Sequence, residues 1–188
     1  MTETDDIELM LRVKGGDEEA FRLIVERYHR SIFNLCYRYV ESQEDAEEVA
    51  QDVFIKVYKT APLYEPRAKL STYFYRIAVN LSLNKIRDRK RKRFLSLDQL
   101  QNSGEKDRIT SDGFDPDILA EQQERQRLIR QAIDSLPQNQ RTAVILRRFE
   151  ELSYEEIAEV MKCSVSAVEA RLHRAKQSLK KKLKPIFR

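Results

Sequence analysis

Ser153-Tyr-Glu-Glu-Ile-Ala-Glu-Val-Met161, followed by Lys162-Cys163-Ser164 and then by Val165 through Leu183, decides the fold. The first segment reads as a short amphipathic helix, the second as a turn, and the third as a longer helix ending in a lysine run. Two helices joined by a three- to four-residue turn make a helix-turn-helix, whose second helix enters a DNA major groove. Val165, Val168, Leu172, Ala175 and Leu179 recur at helical spacing and form the inward stripe. Ser166, Glu169, Ala170, His173 and Arg174 then face outward. Ser153 followed three residues later by Glu156 is a capping box that sets the start of the first helix. The same pattern suits a plain two-helix corner in a helical core, so the rest of the chain has to discriminate.

Only 4 glycines and 5 prolines occur in 188 residues, without tryptophan, and good helix formers dominate. That composition predicts an all-α protein of one domain or two small ones. The net charge of +4 is modest, and its distribution says more than its sum. Acids crowd the first twenty residues and Glu41 to Asp52. Bases crowd Lys85 to Arg93 and Arg171 to Arg188. Separated acidic and basic faces suit one partner of each sign. No apolar run could span a membrane and no signal peptide opens the chain, so the expectation is a cytoplasmic protein without stable membrane insertion. Cys36 and Cys163 fall inside helical patterns and read as small buried residues in a reducing compartment. No C-x-x-C or Cys/His cluster provides a metal site. His29 and His173 lie near no nucleophile, and no glycine-rich phosphate loop exists, so neither catalysis nor a cofactor is expected.

Working back toward the N-terminus, Asp17 to Val40 carries a helical stripe of Phe21, Ile24, Val25, Tyr28, Ile32, Leu35, Cys36 and Tyr39, opened by Gly15-Gly16 and an Asp17 cap. Ser42 to Thr60 is a second helix, with Ala46, Val49, Ala50, Val53, Phe54, Val57 and Tyr58 inward. A loop with two prolines follows, and Ser71 caps a third helix to about Arg91. Residues 94–117 are polar with little periodicity and read as a flexible linker. Helices over about 117–135 and 140–150 then lead into the helix-turn-helix. The expectation is two helical bundles joined by that linker.

The third helix clusters aromatics at its start, Tyr73, Phe74 and Tyr75, and bases at its end, Lys85 to Arg93. Bases neutralise phosphates and aromatics give unpaired bases a stacking surface, which is what a binder of melted DNA needs. A core helix with a solvated basic tail is the competing reading. The second helix exposes Asp45, Glu48, Gln51, Asp52 and Lys56, which spacing alone reads as a solvated face.

GDEEAFRLIVERY, EDAEEVAQDVFIKVY, STYFYRIAVNLSLNKIRDRKRKR and LPQNQRTAVILRRFEELSYEEIAEVMKCSVSAVEARLHRAKQSLKKKL, in that order, closely resemble the extracytoplasmic-function sigma factors of bacterial RNA polymerase. The resemblance covers nearly the whole chain. It implies a region 2 bundle over 1–93, a linker over 94–117 and a region 4 helix-turn-helix over 118–188. It implies core RNA polymerase as a partner, through the β′ clamp helices and the β flap. It also implies promoter DNA, double-stranded and melted, and an anti-sigma factor.

Residue by residue, the resemblance places a pocket for a flipped minus-ten base at Tyr64 and Asn80, with Tyr73 and Arg76 alongside and Lys85 and Arg87 further along the helix. An asparagine amide can pair with a base edge and a tyrosine can stack on it. Core docking falls on Glu48, Gln51 and Asp52. Minus-thirty-five contacts fall on Ser166, Glu169, Ala170, His173 and Arg174, with Arg147 and Arg171 near the DNA backbone. Many relatives carry Lys or Arg where this chain has Glu169, and Ser where it has Ala170. A glutamate can accept from cytosine N4 but cannot bind guanine acceptors or phosphate. A helix-turn-helix repressor with a dimerising N-terminal bundle would not need the stretch from Tyr64 to Arg93. A sigma-like protein-binding adaptor would not need a basic recognition helix.

Overall fold

A first helix, α1 (Glu3–Lys14), is absent from the sequence-based expectations. The computed structural model describes residues 3–66, 68–96 and 116–184, with side chains over 5–66, 68–92 and 124–184. α1 turns Leu9, Met10 and Val13 into the core. Its acids are partly spent on structure. Tyr28 donates to Asp6 at 2.6 Å, and Arg27 pairs with the same carboxylate.

The chain divides into two compact units, Met1–Asp107 and Arg108–Arg188. In the first, α2 (Glu18–Val40), α3 (Gln43–Thr60) and α4 (Leu70–Ser96) pack as a bundle. A single 3-10 turn, Ala61–Leu63, follows α3. Asp17 caps α2 by accepting from the Ala20 N–H at 2.9 Å, satisfying one of the donors a helix start leaves over. Glu41 takes the left-handed conformation, φ 61°, and ends α2. Ser42 then caps α3. Ile24, Ile32, Leu35, Val53 and Phe74 are buried, each contributing roughly 1.5–3 kcal/mol. The Tyr28 and Phe74 rings stack at 4.9 Å, with Phe54 tilted against Phe74 at 5.6 Å.

α4 departs from expectation at its start. Buried Leu70 belongs to the helix, so Ser71 lies in the first turn rather than capping it, and the Tyr73 N–H reaches back to the Lys69 carbonyl at 3.2 Å. α4 also runs on to Ser96, and α5 begins at Pro116. The interior of the expected linker, 97–115, lies outside the described residues.

The second unit holds α5 (Pro116–Asp134), α6 (Gln138–Arg148), α7 (Tyr154–Val160) and α8 (Val165–Leu183). Leu136, Ile145, Leu146, Ile157, Val168 and Ala175 form its core. Arg141 and Asp134 pair at 2.9 Å and fix the corner between α5 and α6. Both halves of the capping box at Ser153 and Glu156 are present. Lys162 takes φ 49° in the turn before α8. Among the described residues there is no strand, no helix long and apolar enough to cross a membrane, and no acid, His and Cys cluster suited to a metal.

Candidate nucleic-acid interface

α4 carries two chemically different faces. Tyr73, Arg76, Asn80, Asn84 and Arg87 recur every three or four residues and so share one side. The row spans about 21 Å at 1.5 Å per residue. Asn80, Asn84 and Arg87 are exposed, and Tyr73 and Arg76 are half-buried. The Arg76 guanidinium lies 5.5 Å from the centre of the Tyr73 ring, a cation–π distance. Arg87 donates to the Asn84 side-chain carbonyl at 3.0 Å. A ring face, two amides and two guanidiniums in line can stack on bases, pair with base edges and neutralise phosphates.

The opposite face carries Lys85, for which the resemblance implies a DNA contact and whose charge in the free chain is engaged within the protein. Its ammonium sits 3.2 Å from Asp45 and also hydrogen-bonds Glu48, both on α3. Chiefly through the bond to Glu48, its pKa is held above the ordinary lysine value. Arg89, one turn on, lies 3.5 Å from Asp45 and donates to the Val40 carbonyl at 3.2 Å. The basic run from Lys85 to Arg93 is thus divided: two of its charges fasten α4 to the end of α2 and the start of α3. Spacing could not separate these two roles, because their acidic partners lie some forty residues away in sequence.

Tyr64 follows the 3-10 turn. Its ring is 4% exposed and packs edge-on against Tyr73 at 5.4 Å. Its hydroxyl is buried without a hydrogen-bond partner among the described residues. Burial raises its pKa. The backbone carbonyl accepts from Lys14 at 2.9 Å. In the free chain the Tyr64 ring is thus covered and packs against Tyr73.

On α3, Glu48, Gln51 and Asp52 are exposed as expected. The row continues through Ile55 at 51% exposure and Tyr58 at 43%. Tyr58, expected inward, instead leans on Phe21 at 4.9 Å. An apolar residue on the polar side of a helical pattern, Ile55 among Gln51, Asp52 and Lys56, was the sequence signal for this part of the surface.

In the second unit Ser166, Glu169, Ala170, His173 and Arg174 are all exposed along α8. Ser164 caps this helix by accepting from Ala167 at 3.2 Å and lies 3.0 Å from the Ser166 hydroxyl. His173 pairs with Gln177 at 2.7 Å. Two expected backbone contacts are occupied inside the protein. Arg171 reaches the Cys163 sulfur at 3.1 Å and the Met161 sulfur at 3.8 Å. Arg147 donates to the Leu152 carbonyl at 2.8 Å and lies over the Tyr154 ring at 5.4 Å.

Residues 24–92 match the family model for sigma-70 region 2, and residues 126–179 match that for sigma-70 region 4. The chain is 36% identical to the RNA polymerase sigma-H factor of Pseudomonas aeruginosa over 190 residues, covering 100% of this chain and 98% of that protein. It is 35% identical to the ECF RNA polymerase sigma factor SigW of Bacillus subtilis, covering 93% and 95%. The fold is shared with CnrH, solved in complex with the cytosolic domain of CnrY, at a TM-score of 0.70 and 20% identity over 96% of this chain and 98% of that one. RpoE of Bartonella quintana, solved with the anti-sigma factor NepR, matches at 0.67 and 21% over 87% and 96%. Region 2 in the first unit, region 4 in the second and full-length relatives together make this chain a member of the sigma-70 family, an ECF sigma factor that directs promoter-specific transcription with RNA polymerase.

Proposed function

We propose that residues 1–93 dock on core polymerase and hold the melted minus-ten element, that 118–188 read the minus-thirty-five element, and that 94–117 tether the two. The division of α4 into an outward row and a tied face carries the reading. Tyr73 stacks on an unpaired base, Asn80 pairs with a base edge, and Arg76 and Arg87 neutralise phosphates. Capturing a single strand traps spontaneous opening, so nucleotide hydrolysis is not required. Glu48, Gln51 and Asp52 meet the β′ clamp helices, with Ile55 extending the contact, and region 4 meets the β flap. Ser166, Glu169, Ala170, His173 and Arg174 face the major groove. Work on promoter DNA places the protein in the cytoplasm. The solved complexes of CnrH with CnrY and of RpoE with NepR support an anti-sigma factor as a further partner.

Reconstitution tests this directly. The chain is mixed with core polymerase and genomic DNA, and transcript starts are sequenced. Starts sharing two upstream elements are expected. Asp52→Lys should lose co-elution with core enzyme at an unchanged unfolding midpoint, since surface changes usually stay within about 0.5 kcal/mol. Starts no different from those of core enzyme alone would overturn the reading.

A further inference from the structure

His173 is one of two histidines in the chain, and it stands exposed on α8 with Gln177 one turn later on the same face. The side-chain nitrogen of Gln177 lies 2.7 Å from Nε2 of His173. An amide nitrogen can only donate. With the Gln177 amide nitrogen toward the ring, Nε2 accepts and the neutral ring carries its proton on Nδ1. That is the opposite of a ring whose Nε2 keeps the proton, and it fixes what the ring can say to DNA. Gln177 is its only described partner, so Nδ1–H remains as a donor. One turn earlier, Glu169 is an exposed acceptor. The face thus presents acceptor, then donor, then the guanidinium of Arg174.

We propose that Gln177 is a specificity-determining positioning residue: by locking the tautomer of His173, it makes the imidazole a hydrogen-bond donor that selects an acceptor-bearing base edge in the minus-thirty-five element. Major-groove acceptors are purine N7, guanine O6 and thymine O4, whereas cytosine and adenine amino groups are donors. Gln177 itself need not touch DNA. This inference rests on the reading of α8 as the groove-facing helix.

Two measurements on the full chain test it. The first is ¹⁵N NMR of the imidazole rings at pH 8, above the ordinary histidine pKa of about 6.5, with His29→Gln used to assign the two rings. The wild type should show the Nδ1–H tautomer at His173. Gln177→Ala should release it, and Gln177→Glu, whose carboxylate only accepts, should favour Nε2–H. The second is selection from a randomised minus-thirty-five region by the chain bound to core polymerase. One base pair should lose its preference several-fold in Gln177→Ala, and Gln177→Glu should move that pair toward a donor-bearing edge. An Nε2–H ring in the wild type, or three identical motifs, would overturn the proposal. A wild type that selects no minus-thirty-five motif would instead count against the groove-facing reading of α8, and the tautomer of the free chain would still decide whether Gln177 sets the ring.

Discussion

Lys85 of α4 sits 3.2 Å from Asp45 of α3 and so belongs to the protein's own charge network. Arg87, two residues on, points to the other side and remains exposed. The two bases should therefore behave differently. Arg87→Ala should weaken binding of a minus-ten non-template oligonucleotide to the holoenzyme and lower the salt slope by about 0.7. Lys85→Ala should leave that slope unchanged and cost about 1 kcal/mol or less of stability, as partly exposed ion pairs do. The Lys85 pairing also has a pH signature. Its pKa is raised, so its stabilisation is fully present below the ordinary lysine value of about 10.4 and is lost as pH rises through the higher folded value. Unfolding curves of wild type and Lys85→Ala should stay apart up to about pH 10.4 and converge only above it, as pH passes the raised folded value. Equal salt slopes for the two alanine variants would refute the two-face division of α4.

Tyr64 yields a prediction that separates burial from base contact. Removing its ring leaves a cavity, so Tyr64→Ala should destabilise by roughly 3–5 kcal/mol. Tyr64→Phe removes only a buried hydroxyl that has no described partner. It should be neutral or stabilising, because an unsatisfied buried polar group costs about 1–3 kcal/mol. Promoter opening by Tyr64→Phe should match wild type. A loss of opening with unchanged stability would mean the hydroxyl meets DNA after all.

Tyr73→Ala and Asn80→Ala should reduce open-complex formation more than duplex binding. Stacking is worth roughly 1–3 kcal/mol per base, so about a tenfold loss is expected. Permanganate reactivity of minus-ten thymines, set against footprints of the closed complex, reads the difference. Parallel losses in both would point to a purely structural role.

Glu169→Gln should relax preference at one cytosine-containing pair of the minus-thirty-five element, by roughly 1–3 kcal/mol of discrimination. His173 is held by Gln177 and not by Glu169, which favours a direct contact over bracing of its neighbour. Altered preference only at pairs read by Arg174 or His173 would mean that Glu169 acts by bracing those side chains.

Asp17 should show an acid-side signature. Its pKa is lowered first by the Ala20 N–H and then by Arg12. A depressed carboxylate stabilises above its unfolded value of about 3.9 and loses that contribution as pH falls through the folded value. Asp17→Asn keeps a good cap but not the Arg12 pairing, so the stability of this variant should fall less between pH 5 and pH 2. Identical pH dependence in thermal unfolding would assign the acid sensitivity elsewhere.

Helix positions were legible wherever one face is apolar over several turns, as in α2 with Ile24, Tyr28, Ile32 and Leu35, or α8 with Val168 and Ala175. α1 was not, because only Leu9, Met10 and Val13 turn inward and acids mask that short stripe. The outward placement of Asn80, Glu169 and Asp52 followed from period alone. The internal contacts of Lys85, Tyr64 and Arg171 did not. Each is decided by a tertiary partner, namely Asp45, Tyr73 and Cys163, and helical spacing holds no record of such partners.

Arg171 reaches from α8 back to the sulfurs of Met161 and Cys163, on the residues that form the turn before it. The turn and α8 are thus joined by this side chain in the free chain. Under the proposed groove-facing reading of α8, a turn and helix already joined would leave less to order on contact with DNA, and less of each base contact's free energy would be spent on that ordering.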